Sequence, residues 1–294
     1  MKKLNSLTKS AIQQFSKSGI QLIDDQVCTE EPLEFRLPFY NSSGNVEFKT
    51  LAITMRTPGM DAELVTGFLY CEGIISADED IQDIQYCEDR GTAGYQNSLE
   101  VNLKKPLPAD SQKLERRFTT YSSCGLCGKT SIASLELQNP PALNIQEAIL
   151  KPLILNDLLA KMQEYQTLFE QTGSAHASGL FTVSGKLITV CEDIGRHNAL
   201  DKLIGYILKR EPGRFSQSVL LVSGRASFEL VQKAVMAGIP ILVSVGAPSS
   251  LAIATAQRFN LTLIGFLRSG GFNIYHAGWR LKIAEVDGYV KKYQ

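Results

Sequence analysis

The sequence has little that would hold it to a polyanion or a bilayer. Lys and Arg number 30 against 30 Asp and Glu, so the formal net charge is zero. No global field draws the chain toward nucleic acid or anionic lipid, although a local patch can still hold a phosphorylated ligand. No apolar run approaches the ~20 residues of a membrane span. The longest, at 219–222 and 239–245, have strand length. Met1-Lys2-Lys3 is basic, but a polar stretch with Asn5, Ser6, Thr8, Lys9, Ser10, Gln13 and Gln14 follows it. The apolar segment of a secretory signal is missing there. The expectation is a cytoplasmic protein with neither nucleic acid nor membrane as partner.

Cysteine and histidine are also scarce. Six cysteines in 294 residues are too few for a disulfide scaffold. Cys28, Cys71, Cys87 and Cys191 stand alone in sequence, and the plain expectation for each is a small buried hydrophobe. Only Cys124 and Cys127 form a motif. A structural zinc needs further Cys or His ligands, usually a second such pair. No second CxxC exists, and the histidines are His176, His197 and His276. No metal site is expected.

What is present reads as an α/β chain, α+β overall. Residues 1–30 are polar and irregular, a loosely held extension. Residues 32–57 resemble a hairpin around Asn41–Asn45, with Leu33, Phe35, Leu37 and Phe39 alternating. Asp61 can cap a helix whose apolar face is Leu64, Val65, Phe68 and Leu69. Residues 81–103 read as two strands broken at 89–94. A helix opens at Leu155 and runs to about Thr172. Beyond it, strands at 180–183, 187–191, 218–223, 240–245 and 261–267 alternate with helices at 197–209, 226–237 and 249–259. That alternation implies a layered sheet with parallel pairs. The expected organisation is a β-rich N-terminal domain over 1–115 with a flexible extension, a CxxC loop linker over 116–138, and an α/β domain over 139–294.

The pair lies in Tyr121-Ser122-Ser123-Cys124-Gly125-Leu126-Cys127-Gly128-Lys129. Its spacing fits redox exchange, metal ligation or sulfur carriage. Flanking serines and glycines point to a loop rather than the strand-to-helix turn of a thioredoxin-like site. A mobile thiol suits a group that must visit a donor and then an acceptor. Nucleophilicity requires the thiolate, which Arg116, Arg117 and Lys129 can favour. A structural turn with incidental cysteines is the plainer alternative.

A second cluster of signals lies at successive strand ends. Glu192-Asp193-Ile194-Gly195-Arg196-His197-Asn198 follows a strand and opens a helix, with Asp193 or Asn198 as the candidate cap. A strand-to-helix turn is where α/β sheets bind ligands. Helix N-termini attract anions, and Arg196 adds a bidentate phosphate contact. Ser223-Gly224-Arg225-Ala226-Ser227 repeats the logic without P-loop spacing, and Ser244–Ser250 does so again. Arg268 precedes Ser269-Gly270-Gly271, a run that can wrap a nucleotide. For each alone a structural turn is the competing reading; together they point to one crevice.

Several of these strings resemble the formate dehydrogenase accessory sulfurtransferase family (FdhD). They are Ser123–Gly128, Glu192–Lys202 including Glu-Asp-Ile-Gly-Arg-His-Asn-Ala, Ser223–Ser227, Gly265–Arg268 and Asn273–Tyr275. The resemblance spans most of the chain. It implies a homodimer with a cytidine-deaminase-like C-terminal domain. It implies a sulfur carrier between a cysteine desulfurase and the molybdenum bis(molybdopterin guanine dinucleotide) cofactor, bound as substrate, of a formate dehydrogenase apo-enzyme. A guanine nucleotide would mimic that cofactor. Cys124 would carry the persulfide and Cys127 would assist. The segment Phe266, Leu267, Arg268, Ser269, Gly270, Gly271 would contact the cofactor, joined by Arg196, His197, Ser223 and Arg225. Two departures stand out. The deaminase H-x-E signature becomes His176-Ala177-Ser178, so deaminase chemistry and its zinc are not expected. Gly173-Ser174 replaces an expected Gly-Gly before that histidine. A cofactor-binding chaperone without covalent sulfur chemistry, and a dithiol oxidoreductase, are the competing functions.

Overall fold

The computed structural model describes residues 5–87, 96–108, 132–136, 138–143 and 149–282. Cys124, Cys127 and most of their linker lie outside the described residues. Among those described, no helix is long and apolar enough to cross a membrane.

The first element is a hairpin of β1 (Leu7–Ser16) and β2 (Gly19–Cys28), which pair only with each other. This corrects the expectation of irregular structure over residues 1–30. Its tip leaves Phe15, Ile20 and Leu22 exposed, while Cys28 at its base is buried.

A four-stranded sheet follows, in the order β4-β3-β6-β5. It is built from β3 (Glu31–Tyr40), β4 (Val46–Arg56), β5 (Ile81–Tyr86) and β6 (Ser98–Leu103). Leu33, Phe35, Leu37 and Phe39 alternate along β3 into an apolar cluster. That cluster closes against Leu64, Val65, Phe68 and Leu69 of α1 (Asp61–Cys71). Asp61 does not cap α1 through its side chain. Its carboxylate is turned back to a buried ion pair with Arg56 at 2.9 Å.

After a short α2 (Ile132–Glu136), the expected single helix at 155–172 is two, α3 (Pro152–Gln163) and α4 (Thr167–Thr172). The break lets α3 bury Leu155, Leu158 and Met162, while Tyr165 and Phe169 stay exposed.

The main sheet has six strands in the order β12-β11-β10-β9-β7-β8. Its members are β7 (His176–Thr182), β8 (Leu187–Asp193), β9 (Ser218–Val222), β10 (Ile241–Ser244), β11 (Thr262–Arg268) and β12 (Gly271–His276). Strands β9, β10 and β11 are mutually parallel; β7, β8 and β12 run antiparallel to their neighbours. Helices α5 (Arg196–Arg210), α6 (Phe228–Met236) and α7 (Ser250–Arg258) cover one face with Leu200, Leu203, Ile204, Leu230, Val231 and Ala252. Helix α3 covers the other. Alternation along β9 serves both layers: Leu220 and Val222 join the first, Val219 and Leu221 the second. Such near-continuous apolar strands are expected of a sheet buried on both faces.

Helices α1 and α5 cross with their backbones nearly touching. A Cβ on Gly67 would lie 1.9 Å from the Asp201 carbonyl oxygen, and one on Gly205 would lie 2.0 Å from that of Glu63. Glycine is required at both positions. The β-rich half is thereby seated directly on the helix that begins with Arg196.

Candidate functional site

Because β9, β10 and β11 are parallel and β7 antiparallel, the carboxyl ends of the first three meet the amino end of β7 at one edge. The turns there are tied together by backbone bonds. Ser223 N donates to Ala177 O (2.9 Å), Gly246 N to Gly224 O (3.0 Å) and Phe266 N to Gly246 O (3.2 Å). The Gly-Ser strand ends seen in the sequence thus line one crevice. Gly246 is needed for this closeness: a Cβ there would lie 2.9–3.0 Å from three atoms of Arg225.

The string 192–202 divides into two kinds of residue. Most of it fastens the fold. The Glu192 carboxylate accepts from Leu168 N and Phe169 N, each at 2.9 Å, and so caps α4 from a distance. The Asp193 carboxylate accepts from Thr57 N (3.1 Å), Gly195 N (2.8 Å) and Asn198 Nδ2 (3.2 Å), and pairs with Lys202 Nζ at 2.7 Å. Asn198 Nδ2 also donates to Met55 O (2.7 Å), and Lys202 Nζ to Thr57 O (2.8 Å). Asp201 pairs with Lys233 of α6 at 2.7 Å. Burial pushes the Asp201 carboxyl up to about 6, with Lys233 opposing. Neither Asp193 nor Asn198 caps α5, as the sequence had led one to expect. Gly195 occupies the cap without a side-chain bond, because both side chains are committed to the end of β4 and to each other.

Arg196 and His197 are the residues left over, and they face the crevice. His197 Nε2 lies 3.3 Å from Ser227 Oγ and 3.8 Å from the Glu229 carboxylate. His176, the first residue of β7, places Nδ1 3.4 Å from Ser223 Oγ. A Cβ on Gly224 would lie 3.5 Å from the His176 ring and 3.7 Å from Arg196 Cδ, so the three residues share one corner. Arg196 Nε is sealed from solvent yet has no hydrogen-bond partner among the described residues, and neither has the buried Ser178 hydroxyl two residues along β7. Burial, then the Arg196 charge, lowers the pKa of both imidazoles; Lys233 adds to this for His197. Arg196 brings positive charge to the corner, Glu229 brings negative charge beside His197, and the lowered imidazole pKa values favour neutral rings.

At the far side of the same edge, Phe266 sits in a bulge of β11 with φ 55°, a left-handed conformation that strains a bulky side chain. The Arg268 guanidinium lies over its ring at 5.6 Å. Arg268, Ser269 and Gly270 are exposed in the turn to β12, and Arg225 is exposed beside Gly246. Leu267, in the segment expected to contact the cofactor, is 2% exposed, with its side chain inside the apolar layer under the sheet. The sequence reading missed His176 as a site residue, and with it Glu229. It began β7 at Leu180, although strand pairing already starts at His176↔Asp193.

A glycine-lined, cation-bearing crevice at a strand-end edge, in a layered α/β domain seated on a small mixed sheet, is chemically suited to an anionic group. Residues 29–282 match the FdhD/NarQ family profile, and the chain belongs to that family. The hairpin of β1 and β2 precedes the matched span. The sulfur carrier protein FdhD of Nocardia farcinica is 45% identical over 261 residues, covering 88% of each chain. That of Sulfurisphaera tokodaii is 42% identical over 252 residues, covering 86% of this chain and 90% of its own. A crystal structure of a putative formate dehydrogenase accessory protein from Desulfotalea psychrophila superposes with a TM-score of 0.69 at 25% identity. It covers 94% of this chain and 100% of that one.

Proposed function

We propose that this protein is a sulfur carrier of formate dehydrogenase maturation, acting in the cytoplasm. Cys124 takes sulfane sulfur from the persulfide of a cysteine desulfurase, and Cys127 assists. The acceptor is the molybdenum bis(molybdopterin guanine dinucleotide) cofactor, held as substrate before the apo-enzyme receives it. The chain works as a homodimer.

The observation that carries this reading is the meeting of Arg196, His197, Ser223, Arg225, Phe266 and Arg268 at one sheet edge. Their chemistry suits a nucleotide. Arg196 and Arg225 match phosphate, the glycines let the backbone approach it, and Phe266 with Arg268 offers a stacking surface for a base. Membership of a family with relatives named sulfur carriers supports the covalent half.

In sulfur loading, the Cys124 thiolate attacks the outer sulfur of the donor persulfide. The S–S bond of the donor breaks and its cysteine leaves as thiolate. In delivery, the S–S bond of the Cys124 persulfide breaks as a metal–sulfur bond forms on the acceptor; Cys124 leaves as thiolate, and the reduced metal of the acceptor gives the two electrons that take the sulfur to sulfide.

The test is restoration of formate dehydrogenase activity in cells lacking the endogenous accessory protein. The wild-type chain restores it and Cys124→Ala does not, with equal protein levels. If replacement of both Cys124 and Cys127 leaves restoration intact, the protein is a cofactor chaperone instead.

A further inference from the structure

The crevice corner holds two imidazoles and one guanidinium beside the carboxylates of Asp193 and Glu229. His176 faces Arg196 and His197 of α5, Asp193 at the end of β8, and Ser223 after β9. His197 faces Arg196 and His176 on one side, and Ser227 and Glu229 at the start of α6 with Lys233 in its last turn on the other. Asp193 is already enclosed by its pair with Lys202 at 2.7 Å and by three N–H donors. Glu229 lies 3.8 Å from His197 and is stabilised as carboxylate. Burial alone would raise its pKa, but its backbone hydrogen bond, the Ser227 hydroxyl and the His197 and Arg196 charges together lower it.

The nearest partner of each imidazole is a hydroxyl, Ser223 for His176 and Ser227 for His197. Ser223 Oγ accepts from Ala177 N at 2.9 Å, so its own O–H is free to donate to His176 Nδ1. When Nδ1 carries a proton, the hydroxyl can rotate and accept instead. Ser227 Oγ lies 3.3 Å from His197 Nε2, but its O–H is given to the Glu229 carboxylate, so it serves His197 as an acceptor. A carboxylate partner would favour imidazolium and a backbone N–H would exclude it.

We propose that this corner takes up its anionic ligand together with a proton, accepted by His176, by His197 or by both. The inference rests on the reading that a nucleotide phosphate binds at this edge. In the empty crevice, burial and Arg196 keep the rings neutral. An arriving phosphate reverses the local field. An opposite charge within ~4–6 Å raises a pKa by roughly 1–3 units. The proton comes from a buffer acid, which leaves as its conjugate base; no bond to the ligand is made or broken. Affinity for the anion therefore rises as the pH falls toward the free-state histidine values.

The chain has three histidines, so NMR resolves the whole set. His276 sits at the end of β12 opposite Leu263, near the start of β11 and so at the other edge of the sheet. It serves as internal control. The full-length protein is titrated between pH 8 and about pH 3.5, low enough to reach the His197 value of about 4, alone, with saturating GDP, and with guanosine. Resonances are assigned from H176Q and H197Q, or by through-bond connectivity if either variant fails to fold. GDP should raise the midpoint of His176, His197 or both by roughly 1–3 units and leave His276 in place. Guanosine, which has no phosphate, should move neither crevice histidine. GDP binding with both crevice midpoints unmoved overturns the proton uptake and leaves the nucleotide site standing. An equal shift with guanosine also overturns it. Absence of GDP binding at every pH removes the nucleotide site and this inference together.

Discussion

Replacing Lys202 by Met tests whether the turn that presents Arg196 and His197 is held by the buried pair beneath it. Lys202 and Asp193 are 2.7 Å apart with side chains 3% and 0% exposed. Met keeps most of the Lys stem and its packing but removes the ammonium. Asp193 would keep its three N–H donors, from Thr57, Gly195 and Asn198. It would still be a carboxylate sealed from water without a counter-charge, and Thr57 O would lose its donor at 2.8 Å. Removing one partner of a buried pair costs about 3–5 kcal/mol. Against a total stability of about 5–15 kcal/mol, that is a large loss. At about 2–4 °C per kcal/mol for a chain somewhat smaller than this one, Tm should fall by about 6–20 °C. Urea unfolding at pH 7 reads the change directly. The loss should come with weaker GDP binding, because Thr57, Asn198 and the start of α5 share the same carboxylate. A loss below about 1 kcal/mol, the range of exposed pairs, would refute the reasoning. It would mean that water reaches Asp193 or that the N–H donors alone suffice.

Gly205→Ala should destabilise despite alanine's better helix propensity. The new Cβ would lie 2.0 Å from the Glu63 carbonyl oxygen. Overpacking costs about 1–3 kcal/mol and the propensity gain offsets only about 0.5–1 kcal/mol of it. Gly270→Ala, where nothing lies within 4 Å, is the near-neutral control, and urea midpoints compare the two. The histidines lower stability as the pH falls, an effect opposed below about pH 6 by Asp201, whose carboxyl is raised to about 6 in the folded chain. Their folded-state pKa values lie below the ordinary 6.5, so the unfolded chain binds more protons below about pH 6.5 and stability falls as pH drops through that range. The slope is at most about 1.4 kcal/mol per pH unit for each fully desolvated ring. It is less here, because the His197 side chain is 37% exposed and water screens it. Chemical unfolding from pH 7.5 to pH 5.5 should show this decline, reduced in H176Q and H197Q; an unchanged slope in both variants would count against it.

The six-stranded sheet was largely legible because its strands and helices announce themselves by length and period. Val219–Val222 and Ile241–Val243 are continuous apolar runs, and α5 and α6 carry apolar residues three and four apart. The crevice was legible for the same reason: glycines and serines sit just past strands whose parallel order brings those ends together. What was not legible depends on distant partners. Glu192 reads as the end of a strand, yet it caps α4 more than 20 residues earlier (|i−j| = 24 to Leu168). Asp193 and Asn198 resemble helix caps in sequence, but Thr57 and Met55 claim them from another sheet. The hairpin of β1 and β2 escaped because its apolar residues do not alternate strictly along the strands and almost none of them is buried. Leu267 lies within an otherwise exposed turn segment; only the bulge at Phe266 turns it inward.

Sulfur carriage itself is tested most directly by intact-mass measurement after incubation with a cysteine desulfurase and cysteine. The wild-type chain should gain roughly 32 Da, one sulfur atom, removable by a thiol reductant. Cys124→Ala should gain nothing. An equal gain on the variant, or no gain on the wild type beside a competent desulfurase, would contradict Cys124 as the carrier.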